Sequence, residues 1–179
     1  MATCKIKDHE VSPAYSYIFD TNVWIYLFAP IAGAKKYKQK VYSQLLKDIG
    51  LRKATIWISS IIVSEYVNAV LRLAFKQWMR SNGLYQADFK HDFRPTADYK
   101  AALADVKLQV KAILDVCACR PDDFNQIDVG GIIDSMNTTS YDFGDAMIAD
   151  ICNRNKEFLL VTDDSDLTLA KVPFTIITA

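Results

Sequence analysis

Histidine is nearly missing from this sequence. His9 and His91 are the only two in 179 residues, and neither has suggestive neighbours. That scarcity argues against Ser-His-Asp triads and imidazole acid–base chemistry. Cysteine is sparse as well: Cys4, Cys117, Cys119 and Cys152 include no C-x-x-C pair. They read as free, buried thiols of a reducing compartment, with Cys117 and Cys119 facing apart on a helix. No segment approaches the roughly 20 apolar residues of a membrane span. The leading MATCKIKDHE has no apolar signal core, so the expected location is cytoplasmic. Nor does one sign of charge dominate, because 21 Lys and Arg face 21 Asp and Glu. No global positive field draws a polyanion, and any such site must come from local clustering.

What is present is a soluble globular composition, 51% hydrophobic and 23% charged, in a chain long enough to build one core without staples. Residues 1–14 read as a polar lead-in ending near Pro13, and 15–179 as one domain. Ile18 to Asp20 reads as a strand, and Asn22 to Phe28 starts a helical segment interrupted at Pro30–Gly33. A helix is expected over Lys35 to Ile49, with Tyr37, Val41, Leu45 and Ile49 at four-residue spacing. Alternating ATIWIS, 54–59, predicts the second strand. Ser60 is placed to cap a helix from Ile61 to about Ser81, with Gly83 as the stop.

Residues 84–95 are aromatic and polar without a period. Thr96 then caps a helix over about Ala97 to Ala118, with an apolar stripe of Leu103, Val106, Val110, Ile113 and Leu114, and Pro121 ends it. A helical insertion is thus expected around 84–121. Ile127 to Val129 suggests a short strand, and Ser140 caps a helix from Tyr141 to about Asn153. EFLLVT, 157–162, and VPFTIIT, 172–178, read as buried strands. Such alternation predicts an α/β fold with a mostly parallel sheet of four to five strands covered on both faces. Ligands bind such sheets beyond the carboxyl ends of the strands.

Acids stand there. Asp20 follows the first strand, and Glu65 interrupts the apolar SSIIVSEYVNAV after the second. Asp142 and Asp145 open the helix SYDFGDAMIADIC, and VTDDSDL places Asp163, Asp164 and Asp166 at the tip of the fourth strand. Each also has a purely structural use. Asp20 suits a helix cap, Asp142 and Asp145 suit the positive end of a helix dipole, and Glu65 suits a pair with Arg72. Asp163 to Asp166 suit the start of a short helix. If they converge, two carboxylates 4 Å apart repel by about 4 kcal/mol at an effective dielectric of 20. Protonation or a hard cation must relieve that. Oxygen ligands without Cys or His point to Mg²⁺ or Mn²⁺, and phosphodiester hydrolysis suits such a site.

Four pieces in order carry a resemblance: D-T-N at 20–22, S-x-x-x-x-E ending at Glu65, D-A-x-I-A from Asp145, and V-T-x-D-x-D from Val161. Together they resemble the PIN-domain ribonucleases, particularly the VapC-type toxins, over roughly 17–80 and 138–178. The resemblance implies a three-layer α/β/α sandwich and an endoribonuclease that cuts RNA with Mg²⁺ or Mn²⁺. It puts Asp20, Glu65, Asp145 and Asp164 in the catalytic metal site, with Asp166 a helper or second ligand. Asp142 is extra to the pattern, a ligand or a first-turn acid. Thr21, Asn22 and Thr162 would hold the ligands in place. An antitoxin partner and a homodimer are implied as well.

Two departures stand against that pattern. The stretch from Glu65 to Asp145 is longer than in the compact toxins, and residues 83–137 match no piece of it. Two other functions fit parts of the sequence. One is a non-catalytic PIN-like module binding RNA or protein. The other is an aspartyl-phosphate enzyme with Asp20 as nucleophile, which usually has a second Asp where this chain has Asn22. Phosphate contacts are offered by the cluster Lys35, Lys36, Lys38 and Lys40 and by Arg72, Lys76 and Arg80, though both also read as solvated helix faces. Trp24, Trp57 and Trp78 read as packing residues.

Overall fold

The computed structural model describes residues 3–29, 36–120, 126–169 and 172–179. Six strands form one sheet: β1 (Thr3–Lys5), β2 (Ser16–Phe19), β3 (Thr55–Ile58), β4 (Ala118–Cys119), β5 (Phe158–Val161) and β6 (Thr175–Thr178). Their order across the sheet is β1-β6-β5-β2-β3-β4, and every pair is parallel. Parallel neighbours need crossovers, and α-helices supply them. These are α1 (Thr21–Phe28), α2 (Lys36–Arg52), α3 (Ser60–Ser81), α4 (Ala97–Val116), α5 (Val129–Met136), α6 (Phe143–Arg154) and α7 (Ser165–Leu169). The result is a sheet flanked by helices, the α/β/α sandwich that the alternation implies.

The central strands are apolar because both faces are covered: β5 is buried throughout and β2 at Tyr17, Ile18 and Phe19. Phe19, Trp24, Tyr42, Tyr66 and Leu160 are fully enclosed. Each such side chain contributes roughly 2–3 kcal/mol of transfer free energy. On α2 the buried stripe is Tyr42, Leu45 and Ile49, whereas Tyr37 is 68% exposed. On α4, Val106 and Ile113 are buried while Leu103 and Leu114 remain exposed.

The sheet has two strands more than its sequence signal carries. β1 lies in the polar lead-in and pairs with β6, Cys4 opposite Ile177, so tertiary pairing rather than hydrophobic pattern makes it a strand. β4 is two residues long, where the α4 helix was expected to continue. It pairs with β3, Trp57 opposite Ala118, and is too short to show a period. Conversely, Ile127 to Val129 is not a strand. Asp128 accepts a hydrogen bond from the Gly131 N–H (3.0 Å) and caps α5. A Cβ at 131 would sit 2.6 Å from Asp128 Oδ2, so glycine permits the cap.

Asp142 rather than Ser140 caps α6. Its Oδ1 accepts the Asp145 N–H at 2.9 Å, and Asp145 Oδ2 accepts the Asp142 N–H at 3.4 Å, a reciprocal box. Thr96 caps α4 as expected, accepting the Tyr99 N–H. Gly83, at φ 64°, follows α3. The four thiols are free, but among them only Cys152 is buried and Cys119 is exposed. Cys119 lies on β4, not on a helix with Cys117. The break expected at Pro30–Gly33, Lys35 and the stop at Pro121 lie outside the described residues.

The aperiodic 84–95 stretch has a structural purpose. Its π-helical turn, Phe89–Phe93, stacks Phe89 and Phe93 against Phe75 and Trp78 of α3 and Tyr99 of α4, at centroid separations of 5.3–6.2 Å. This aromatic plug braces the far half of the 22-residue α3. Trp24 packs on Phe19 and Phe28, and Trp57 on Phe158, so all three tryptophans are packing residues.

Candidate active site

Parallel pairing sets β2 and β5 side by side with Phe19 opposite Val161, so the next residues of each strand, Asp20 and Thr162, emerge together at the carboxyl edge. The Asp20 N–H is spent on Val161 O (3.0 Å) and the Thr162 N–H on Ile177 O (3.0 Å), which fixes both backbones. The Asp20 side chain is 95% enclosed. Its Oδ1 accepts the Thr21 N–H (2.6 Å) and so caps α1. Its Oδ2 accepts the Thr162 hydroxyl (2.6 Å) and the Asn22 amide (2.7 Å). Asp20 is therefore both a helix cap and a strand-tip acid.

Thr21 carries the link onward. Its hydroxyl donates to Glu65 Oε2 at 2.8 Å, joining the first turn of α1 to α3. Glu65 takes no pairing from Arg72; Thr21 is its hydrogen-bond partner. The other Glu65 oxygen lies against Gly144, the residue before Asp145. A Cβ there would overlap Oε1 and stand 2.9 Å from Cδ. A glycine in the first turn of a helix gives up propensity, and its use here is the close approach of a carboxylate. On the other side Thr162 Oγ1 accepts the Asp164 N–H (2.9 Å) and the Asn22 amide (3.2 Å).

Three of these acids hold protons more tightly than usual. Burial, then the charges of Glu65 and Asp164, push Asp20 up to about 6 against the opposing hydrogen bonds from Thr162 and Thr21. Burial, then the charge of Asp142, with Asp164 and Asp20 behind it, push Asp145 up to about 7. Glu65 is raised by burial and by Asp142. Carboxylates shift one another this way when they share a poorly hydrated place without a cation. Among the described residues, ion pairs engage Asp163, Asp115 and Asp150, but not Asp20, Glu65, Asp145 or Asp164.

The structure thus brings Asp20, Glu65, Asp142, Asp145 and Asp164 within one another's field. Asp166 stands apart, exposed on α7, where its N–H donates to Asp164 Oδ1 at 2.7 Å. Among the described residues no three acid, histidine or thiol groups are already gathered at metal-holding spacing. Several carboxylate oxygens instead face protein donors. The donor set nonetheless fits a hard divalent cation: it is all oxygen and mutually repelling, with Asp20 enclosed at its centre.

One residue of this neighbourhood, Gly144, was not legible as part of it, since its only trace in the sequence is a glycine inside a helix start. Asp163, read with Asp164 and Asp166 as a strand-tip acid, turns its carboxylate away from the cluster to pair with Lys38 (2.6 Å) and accept the Thr178 hydroxyl (2.9 Å). That pairing removes Lys38 from the cations free to meet phosphate, while Lys36 and Lys40 remain exposed. No helix among the described residues is long and apolar enough to cross a membrane.

A wholly parallel α/β/α sandwich with clustered carboxylates at its strand tips, buttressed by hydroxyl and amide groups, defines a class of acid-site α/β proteins. Within it the chain belongs to the PIN domain family, whose model matches residues 17–174. PIN domains are generally nucleases and generally use divalent metals. No curated protein matches the chain.

Proposed function

We propose that the protein is a divalent-metal-dependent endoribonuclease of the toxin type, hydrolysing RNA phosphodiester bonds. The observation that carries the reading is the convergence of Asp20, Glu65 and Asp145 at one edge of the sheet. Thr21 bonds both Asp20 and Glu65, Glu65 lies against Gly144 beside Asp145, and none of the three acids is in an ion pair among the described residues. Asp20, Glu65, Asp145 and Asp164 would hold Mg²⁺ or Mn²⁺, with Asp142 and Asp166 as further candidates. When bound, such an ion neutralises charge at the scissile phosphate and lowers the pKa of water.

The chain's own residues do the positioning. Thr162 and Asn22 hold one edge of Asp20, and the Thr21 N–H holds the other. Thr21 keeps Glu65 against Gly144. An Asp20 carboxylate with both oxygens engaged is a poor nucleophile, which supports hydrolysis by water over an aspartyl-phosphate route. The toxin-type assignment, with an antitoxin partner and a homodimer, rests on the four ordered pieces of sequence.

The test is incubation of the purified chain with total RNA and Mn²⁺, alongside Asp145→Asn and an EDTA control. Cleavage confined to the unaltered chain with metal is expected. Equal cleavage by Asp145→Asn would remove this site from the chemistry. RNA retention without cleavage in any lane would make the protein a non-catalytic RNA-binding module.

A further inference from the structure

The net charge is zero, so a nuclease of this composition needs a local means of holding a polyanion near its acids. The longest helix supplies one. On α3 the only acid is Glu65, and the charged residues after it are Arg72, Lys76 and Arg80. At about 100° per residue, Glu65 and these three cations fall within about 80° of one another around the helix. They form one line that leaves the acid site and runs about 22 Å along the axis at 1.5 Å per residue.

All three cations are exposed. Among the described residues none takes part in an ion pair, a hydrogen bond or a ring contact, in contrast to Lys38, Lys111 and Arg154. Like charges four residues apart destabilise a helix, and solvated faces ordinarily intersperse acids. This stripe does neither thing that would relieve it. It is also held rigidly: Phe75 and Trp78, on another side of the same helix half, are locked in the aromatic plug with Phe89 and Phe93.

We propose that the exposed stripe Arg72–Lys76–Arg80 of α3 is a track for the backbone of single-stranded RNA, leading one strand to the acids at Glu65. The occupant is set by charge complementarity. Three cations spaced about 6 Å apart on a straight rod offer successive phosphate contacts. The insertion between α3 and α4 then has a role as the brace of that rod. The track deepens the nuclease reading and depends on it for what happens at the end of the strand.

The experiment uses the full chain carrying Asp145→Asn, so that RNA stays intact, and fluorescence anisotropy with a labelled mixed-sequence single-stranded RNA across a salt series. Three phosphate contacts contribute about 2 to the slope of log affinity against log salt, since each contributes about 0.7. R72Q/K76Q/R80Q is expected to lose that slope and to bind on the order of 50-fold more weakly at 0.15 M salt. A control with the same charge change, K36Q/K40Q/K47Q on the exposed face of α2, is expected to keep most of both. An unchanged slope in the α3 variant, or an equal loss in the control, overturns the track and leaves the nuclease reading standing. Binding with the expected slopes but no cleavage by the unaltered chain in Mn²⁺ upholds the track and overturns the nuclease reading. No binding by the Asp145→Asn chain overturns both.

Discussion

Gly144 is where one missing methyl group governs the site. The Glu65 carboxylate occupies the space a Cβ would fill, and it is the mobile end of a flexible side chain, so it can move away. Gly144→Ala is therefore expected to leave the fold intact, even gaining up to about 1 kcal/mol from helix propensity. The same change drives Glu65 off its Thr21 hydroxyl and should lower metal-dependent cleavage by at least tenfold. Unfolding curves measured beside RNA cleavage would separate the two effects; a variant both stable and fully active would show that Glu65 needs no fixed seat. Asp20 poses the opposite case. Asp20→Asn removes a buried, poorly solvated charge but turns its amide N–H₂ against one of the two sides that now donate to the carboxylate, the Thr21 N–H or the Thr162 hydroxyl. These effects offset to within about 1–2 kcal/mol, so the variant should fold and bind metal poorly.

At the scale of elements, the tip of β5 is held from two sides. Thr162 reaches inward to Asp20, while Asp163 reaches the other way to Lys38 at the start of α2 and to Thr178 at the end of β6. Burial opposes ionisation of Asp163, yet the hydrogen bonds from Lys38 and Thr178 outweigh it and hold the carboxyl below its usual range. Removing one partner of a largely enclosed pair leaves the other charge unmatched. Lys38→Met should cost about 2–3 kcal/mol, less than for a fully buried pair, and Lys38→Met/Asp163→Asn should recover part of it. Denaturant titration of the two singles and the double gives the coupling. Strict additivity would mean that the ion pair is not what anchors this turn.

For the whole molecule, the raised acids tie stability to pH. Asp20, near 6, and Asp145, near 7, ionise in the unfolded chain before they ionise in the folded one. The folded state then binds more protons across roughly pH 4 to 7, and stability falls as pH rises through that window. For enclosed Asp20 this amounts to about 3 kcal/mol at most, and half-buried Asp145 adds less than its shift suggests. A divalent ion reverses the trend by binding the ionised form. At a hundredfold excess over its Kd, Mn²⁺ adds about 2.7 kcal/mol, a Tm rise on the order of 5–10 °C. Calorimetry should find that rise at pH 7.5, little of it at pH 5, and little at either pH in Asp145→Asn. A Mn²⁺ response independent of both pH and Asp145 would place any bound ion elsewhere.

The order of apolar strands, the acids at their tips, the cap at Thr96 and the packing role of the tryptophans were all legible in the sequence, because they depend on residue type and local period. The sequence also held Asp20 between two uses, cap and site acid, and the folded chain gives it both. Tertiary structure decided what local signals cannot carry. Pairing with β6 makes a strand of a polar lead-in, and Gly131 lets Asp128 cap a helix where a strand was expected. The α6 start seats Glu65 against Gly144, and Lys38 turns from the cationic cluster to Asp163. Each of these joins residues through contacts across the sheet or between packed helices, and the cost of a buried charge or an unpaired backbone group is fixed only once those neighbours meet.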